Sequence, residues 1–174
     1  DTYADISRDN RLTRSVIFAP RGVIYDRAEV ELAWNESQSQ SENPTPYAKR
    51  VYTPMPGLAH VIGFVRYPKT DAFGLWWREE YVGVSGSELV FDEILSGENG
   101  SKMVEADARG VVQREDIVIP PVSGDNVTLS IDSEMQSKLH TILLNHANTY
   151  GFEGGASVVM DVNTGEVLAM VSVP

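Results

Sequence analysis

The sequence predicts an α+β fold in which a long, mostly extended part precedes a small unit of one helix and two strands. Three observations support this prediction. Short β-type runs broken by Pro and Gly fill the first 120 residues, the run at 133–150 has helical periodicity, and residues 155–174 form two strand-like runs around a Gly-containing turn. With 174 residues, 42% of them hydrophobic, the chain is long enough to bury a core.

The first strands are expected between residues 15 and 34. Two β-type runs, VIFA and GVIY, are followed by alternating residues around Val30, Leu32 and Trp34, which predicts extended strands with one turn near Asp26–Glu29. The stretch SQSQSENPTP at 37–46 has no apolar residue and ends in Asn-Pro-Thr-Pro. This composition predicts a solvated linker, and therefore a boundary or a missing loop.

The middle of the chain mixes short helices with extended segments. The apolar run LAHVIGFV at 58–65 fits a short helix or a buried strand, and periodicity does not decide between them. Residues Ser87–Leu95 predict a short helix. The alternation in MVEADARGVVQREDIVI at 103–119 predicts a hairpin that turns at 108–110, where Gly110 permits the required backbone conformation.

The C-terminal part begins at Pro120-Pro121, which acts as a joint before a predicted strand, SGDNVTLSID. Asp132 or Ser133 can cap the helix that follows, and Tyr150-Gly151 ends it. The strands after it join at Asn163–Gly165. The predicted inward stripe of the helix consists of Met135, Leu139, Ile142, Leu143 and His146.

Charge and composition exclude several classes of protein. The formal charge of −11, from 25 acidic and 14 basic residues, argues against binding of nucleic acid. The chain has no cysteine, which excludes disulfides and thiolate chemistry. It has no run of about 20 apolar residues and no signal-peptide pattern at its start. Because both ends look like cuts, we expect a fragment of a longer protein.

Several segments resemble, in the same order, the class B penicillin-binding proteins that cross-link bacterial peptidoglycan. RGVIYDR matches the Arg-Gly-x-Ile-x-Asp-Arg stretch that opens the N-terminal pedestal of that family. TLSIDSEMQ at 128–136 and the segment at 155–174 resemble the entry into its transpeptidase fold. The positions that match pedestal motifs are Arg21, Gly22, Ile24, Asp26, Arg27, Ala59, His60, Gly63, Gly86, Glu88, Leu95 and Gly97.

Two departures from the family accompany this resemblance. Family members usually carry a sizeable head subdomain where this chain has only the polar linker. The usual Asp-Arg-Asn-Gly turn is Asp26-Arg27-Ala28-Glu29 here, so the turn lacks its Gly and its geometry is undetermined.

The resemblance implies a pedestal at 1–120, of the dimerisation type, and the start of a transpeptidase domain at 121–174. The parent would be a D,D-transpeptidase anchored on the outer face of the bacterial cytoplasmic membrane by a segment not present in this chain. Its pedestal would dock a glycan polymerase or scaffold, or form a homodimer. Peptidoglycan and β-lactams would bind only the missing catalytic domain.

The chain itself is expected to be non-catalytic and to need no cofactor. The family nucleophile is a Ser followed three residues later by a Lys that takes its proton, but Lys49, Lys69, Lys102 and Lys138 follow Pro46, Arg66, Asn99 and Met135 at that spacing. The Lys-Thr-Gly motif is absent as well, and a Ser-x-Asn match at 41–43 lies in the linker.

Each of the remaining candidate residues could serve either to stabilise the fold or to contact a partner. His60 fits a packed core histidine better than a metal ligand. We predict that ion pairs are formed by Arg21, Asp26 and Arg27. These charges would either connect neighbouring strands or form a surface that a partner contacts. For Trp76 and Trp77 there are two interpretations. One ring packs in the core while the other is half covered, or the pair forms an exposed interaction patch or a membrane-facing edge. The adjacent Glu79 and Glu80 fit a solvated face.

The sequence is also compatible with two other functions. One is a split enzyme in which a second chain donates the active site. The other is an independent protein-binding module, although the strands at 158–173 argue against it, because such a module has little reason to carry a truncated sheet.

Overall fold

The computed structural model describes residues 11–36, 45–106 and 112–174, and over these residues it has the predicted α+β character. The strands are β1 (Arg11–Ile17), β2 (Ile24–Tyr25), β3 (Glu31–Asn35), β4 (Arg50–Tyr52), β5 (Val65–Arg66), β6 (Lys69–Thr70), β7 (Trp76–Arg78), β8 (Val82–Gly83), β9 (Gly100–Ala106), β10 (Val112–Ile119), β11 (Val127–Thr128), β12 (Gly155–Met160) and β13 (Val167–Val173). The helices are α1 (Ala59–Ile62), α2 (Gly86–Val90), α3 (Asp92–Ser96) and α4 (Ser133–Tyr150).

One sheet joins the start of the chain to the middle. Strand β9 lies between β1 and β10 and runs antiparallel to both. The β9–β10 pair confirms the strands of the predicted hairpin, whereas its turn at 108–110 lies outside the described residues. Strand β1 spans Arg11–Ile17, so it includes five residues before the predicted run VIFA at 16–19.

A second sheet has the order β11-β2-β3-β4 and connects the two parts of the chain. Strand β11 runs parallel to β2, so a residue pair beyond Pro121 completes a sheet built from residues 24–52. The prediction of a strand throughout 123–132 is wrong in extent, because only Val127–Thr128 pair in the sheet. The linker at 37–46 falls mostly outside the described residues.

The turn between β2 and β3 is present where the sequence predicts it. In place of the family's Gly, Glu29 adopts a strained backbone conformation. Glu29 has a φ of 62°, which is left-handed and unusual for a residue with a Cβ. Asp26 stabilises this turn by accepting hydrogen bonds from the backbone N–H of Ala28 and Val30, at 2.8 and 2.9 Å.

The ambiguous run at 58–65 is a single helical turn, α1, followed by strand β5. The predicted helix at 87–95 is present as two short helices, α2 and α3, which meet at Phe91. Strand β5 pairs with β8, and β6 pairs with β7 in a small hairpin.

Helix α4 and the hairpin β12–β13 form a C-terminal unit, and the hairpin confirms the predicted turn at 163–165. Asp132 caps the helix through a hydrogen bond from the Met135 N–H, and Gly151 ends it with a φ of 68°. The predicted stripe is wrong for Ile142 and His146, which are exposed. The stripe is confirmed for Leu139 and Leu143, which pack against the hairpin together with Leu144 and Ala147, because the inward residues Val171 and Val173 lie on that side.

The main core takes residues from both sides of Pro120-Pro121. Its buried members are Ile24, Leu32, Ala33, Leu58, Ile62, Leu95, Val127 and Ile131, and Val167 of β13 packs against them. The C-terminal unit is therefore packed onto the N-terminal part through a shared core. Across the described ranges, no helix is both long and apolar enough to cross a membrane.

Candidate functional site

A buried network of ion pairs joins β4, α2, α3 and the loop before β2. Arg21 Nε lies 2.7 Å from Glu88 Oε2, and Arg21 Nη2 lies 2.7 Å from Asp92 Oδ1. Arg50 Nε lies 2.8 Å from Glu88 Oε1. The side chains of Arg21, Arg50 and Glu88 have no solvent-exposed surface. The Glu88 carboxylate is thus held between two guanidinium groups, and two positive charges balance two negative ones.

Further hydrogen bonds fix the two arginines. Arg21 also donates to the Glu88 backbone oxygen and to Ser96 Oγ, each at 3.0 Å. Arg50 Nη1 donates to Asn35 Oδ1 at 3.3 Å, whereas its buried Nη2 finds no hydrogen-bond partner among the described residues. Because buried charges are stable only when paired, this network fixes α2 and α3 against β4.

Gly22 and Gly63 lie where backbone segments touch. A Cβ at Gly22 would lie 1.9 Å from the Asp125 backbone oxygen, so a side chain there would push residues 124–126 away from the loop before β2. Gly63 has a φ of 77°, and its Cβ would lie 1.8 Å from the Ser85 backbone oxygen. Both motif glycines are therefore needed for close backbone approach.

Asp26 connects the N-terminal part to the C-terminal unit. Besides capping its own turn through Oδ1, it accepts hydrogen bonds at Oδ2 from Ser133 Oγ at 2.6 Å and from the Ser133 N–H at 3.2 Å. Burial raises the pKa of Asp26, but these hydrogen bonds outweigh burial and hold the pKa below its ordinary value. The ion-pair prediction is wrong for Asp26, because its carboxylate is satisfied by neutral donors.

Arg27 does not tie strands together either. Its guanidinium lies 4.0 Å from Glu166, and both side chains are substantially exposed. Such a pair contributes little to stability. Of the three predicted ion-pairing residues, Arg21 alone has a buried pair.

Gln136 is a second connection across the junction, and its side chain is fully buried in α4. Its Nε2 donates to the backbone oxygens of Gly57 and Met170, each at 2.6 Å, and its Oε1 accepts from the Met170 N–H at 2.8 Å. One amide thus joins α4, β13 and the segment before α1. The backbone bond from Asp132 N to Leu168 O, at 2.8 Å, reinforces this arrangement.

The two adjacent tryptophans lie on opposite sides of the β6–β7 hairpin. Trp76 packs edge-on against Phe18, with ring centroids 4.9 Å apart, in a cluster with Tyr47, Tyr67 and Tyr81. Trp77 is 60% exposed, more than the half-covered ring that the sequence predicts. Burial raises the pKa of Tyr81 well above its ordinary range, so its protonated hydroxyl donates to the Ala48 oxygen.

His60 is exposed, so its prediction as a packed core histidine is wrong. Helix α1 has only one turn and buries Ile62, which leaves His60 over a groove lined also by Val61, Val158 and Met170. Glu79 and Glu80 are solvated, as predicted. The described residues contain no cluster of three or more His, Asp or Glu side chains able to hold a metal ion.

Sequence reasoning missed four residues of this site: Arg50, Asp92, Ser133 in its link to Asp26, and Gln136. Gln136 lies one turn before Leu139 on the inward side of an apolar helix face, and that position is a signal for a buried, hydrogen-bonded amide. Arg50 carries no comparable local signal. Together these residues connect β4, α2 and α3 to the loop before β2, and α4 to the N-terminal part.

Comparison with known proteins identifies what this arrangement is similar to. Residues 39–129, just over half of the chain, match the family model of the penicillin-binding protein dimerisation domain. The peptidoglycan D,D-transpeptidase FtsI of Escherichia coli is 32% identical over 73% of this chain. The peptidoglycan D,D-transpeptidase MrdA of Haemophilus influenzae is 33% identical over 82% of it.

Solved structures of peptidoglycan synthesis proteins are also similar to this chain. A chain from a peptidoglycan synthase complex that coordinates polymerization and crosslinking aligns with 95% of this chain, with a TM-score of 0.66 and 27% identity. Penicillin-binding protein 3 of Mycobacterium tuberculosis aligns with 91%, with a TM-score of 0.63 and 26% identity. The chain spans only 20–22% of those two curated relatives and 40% and 28% of the two solved chains.

Proposed function

Because the chain belongs to the penicillin-binding protein dimerisation-domain family, we propose that it is the non-catalytic pedestal region of a class B penicillin-binding protein. Residues 1–120 form the pedestal and residues 121–174 begin a transpeptidase domain. The pedestal positions that domain and docks other cell-wall synthesis proteins, such as a glycan polymerase or a scaffold. The parent acts in peptidoglycan cross-linking outside the cytoplasm and is held at the membrane by an anchor.

The observation that carries this proposal is the junction between the two parts. Asp26 and Gln136 each bond directly to both sides of it, and the main core continues across it. A helix and hairpin that were merely tethered would need neither connection. The junction therefore suits a base that holds the first elements of a catalytic domain in a fixed orientation.

The outer face of the C-terminal unit supports the same function. Val158, Met160 and Met170 project from the hairpin away from α4 and are 60, 55 and 50% exposed. Strands β12 and β13 pair only with each other among the described residues, and because Asp132 and Gln136 bond to the backbone of β13, the open edge of the hairpin is that of β12. Apolar faces and open edges of this kind suit further elements of a larger sheet.

Acylation by a fluorescent penicillin tests the proposal. We expect no labelling of this chain and clear labelling of a longer protein that continues past Pro174 for the length of the relatives. Labelling of this chain alone would contradict the proposal, because it requires a nucleophile within these residues.

The positioning role needs its own variant. In the longer protein, Asp26→Asn is expected to slow acylation while the fold is retained, because Ser133 loses its carboxylate acceptor. Asp71→Asn is a matched control: Asp71 caps its own turn through the same backbone positions, two and four residues on, and its carboxylate bonds lie within that turn and not at the junction. Equal acylation rates for both variants would argue against positioning through the junction.

A further inference from the structure

The β6–β7 hairpin displays three large apolar side chains near its tip, residues 71–75. Phe73 is 91% exposed, Leu75 68% and Trp77 60%. A Cβ placed on Gly74 would meet no atom within 4 Å, so the tip projects into open space. Exposed apolar side chains that cluster on one projecting turn are unusual on a soluble surface and indicate an interaction.

Hydrogen bonds within the tip define its backbone conformation, although the tip is exposed. Asp71 Oδ1 accepts hydrogen bonds from the backbone N–H groups of Phe73 and Leu75, each at 2.9 Å, and Asp71 N donates to the Leu75 oxygen at 2.8 Å. The carboxylate of the tip is thus engaged with its own backbone. On the opposite side of the hairpin, Trp76 packs against Phe18 and Tyr47, which anchors the base.

Two cationic side chains lie at the base of the hairpin, behind the apolar tip. Lys69 and Arg78 are direct cross-strand partners at the base of the hairpin. The Arg78 guanidinium lies 4.9 Å from the Trp77 ring centroid and donates to the Tyr67 oxygen at 3.1 and 2.8 Å, so the indole and the charge are held together. Going away from the tip, the order is therefore aliphatic and phenyl groups, then an indole, then two cations, with the solvated carboxylates of Glu79 and Glu80 beyond them.

We propose that this hairpin tip inserts into the interfacial region of a phospholipid bilayer. Phe73 and Leu75 enter the acyl boundary, Trp77 lies at the headgroup level, and Lys69 and Arg78 face lipid phosphates. A convex tip with this order of side chains suits a lipid surface, which needs no complementary pocket, better than a protein partner. The inserted hairpin would fix the orientation of the N-terminal part on the membrane, an activity separate from the proposed positioning of a catalytic domain.

Flotation of the purified chain with lipid vesicles tests this proposal. We expect binding to vesicles of phosphatidylcholine and phosphatidylglycerol in equal parts, and weaker binding to phosphatidylcholine alone. Phe73→Ser/Leu75→Ser should reduce binding roughly thirtyfold on both, because two apolar side chains no longer leave water. Lys69→Glu should reduce binding about tenfold on the anionic vesicles only.

A matched control is available on the opposite part of the chain. Ile142→Ser/Phe152→Ser removes side chains of the same kinds that are 65 and 58% exposed at α4 and its end, and it should leave vesicle binding unchanged. Trp77 is the natural reporter of depth. Brominated lipids should quench its fluorescence in the parent chain and not in Trp77→Phe.

The outcomes separate insertion from surface adsorption and from a protein contact. Loss of binding with the tip variant, retention with the control and quenching of Trp77 together support insertion. Absence of binding to anionic vesicles overturns the proposal. So does binding that depends on Lys69 but not on Phe73 and Leu75, since that pattern is surface adsorption. Protection of Phe73 by a protein partner with no vesicle binding would assign the tip to a protein contact instead.

Discussion

Replacing Glu88 with Gln should destabilise the chain severely, because it removes the charge that holds Arg21 and Arg50 together. In the native network, two guanidinium groups face the carboxylates of Glu88 and Asp92. After the change, Asp92 alone opposes two positive charges, and one of them is uncompensated in a site with no solvent exposure. The new amide also presents N–H donors to groups that are themselves donors.

The expected loss in the free energy of unfolding is about 4 kcal/mol, the range measured when one partner of a buried pair is removed. That loss is a large share of the roughly 5–15 kcal/mol that stabilises a typical domain. With a urea dependence of about 2 kcal/mol per molar, the unfolding midpoint should fall by about 2 M. Circular dichroism during a urea titration measures this directly.

A control and a double variant make the test specific. Glu93→Gln changes an exposed carboxylate of α3 and should leave the midpoint unchanged. Arg50→Met/Glu88→Gln leaves Arg21 opposite Asp92 with no excess charge, so it should cost clearly less than the sum of the single changes. A loss below about 1 kcal/mol for Glu88→Gln, or strict additivity, would refute this role of the network.

Three further predictions concern the junction and its turn. The folded-state pKa of Asp26 lies below its ordinary value of 3.8, so its contribution to stability is complete above that value and is lost as the pH falls through the folded-state pKa. Urea titrations should therefore show the stability gap between the parent and Asp26→Asn narrowing below pH 3.8, and a constant gap would contradict this assignment. Glu29→Gly should raise the free energy of unfolding by about 0.5 kcal/mol, because relief of the left-handed strain exceeds the cost of the entropy that Gly adds to the unfolded chain. Thermal melts measure this change, and a lower melting temperature would show that the turn is unstrained. Gln136→Met should cost about 3 kcal/mol by leaving the buried bonding groups of Gly57 and Met170 unpaired, whereas Ser137→Ala next to it should cost little.

The sequence predicts those parts of the fold that depend on local pattern. The resemblance to penicillin-binding proteins and the α+β class are confirmed, as are the strands of the hairpins and helix α4, because turns, caps and periodicity are local signals. The inward face of α4 is only partly predicted. Ile142 has the right spacing but lies outside the stripe that contacts Val171 and Val173. A periodic pattern several residues wide fits more than one helix rotation, and the position of the partner strand selects one.

The buried network is largely beyond local prediction. Arg21 and Glu88 are identifiable through family motifs, but Arg50 and Asp92 have no sequence feature that separates them from ordinary surface charges. Their burial follows from long-range packing, since Arg21 and Glu88 are 67 residues apart and Arg50 and Glu88 are 38 apart. His60 shows the converse. Its apolar neighbours indicate a core position, yet a one-turn helix can bury only one side.

The junction is held by directional bonds from single side chains as well as by the shared core, and the side-chain bonds have a consequence for function. Apolar contact in the main core would tolerate small rotations of α4, because packing energy varies slowly with angle. The bonds from Ser133 to Asp26 and from Gln136 to Gly57 do not, since hydrogen bonds weaken steeply with misalignment. Variants at these positions should therefore change the orientation of the C-terminal unit before they unfold it. A catalytic domain built on that unit would lose alignment at a stage when bulk stability measurements still report a folded protein.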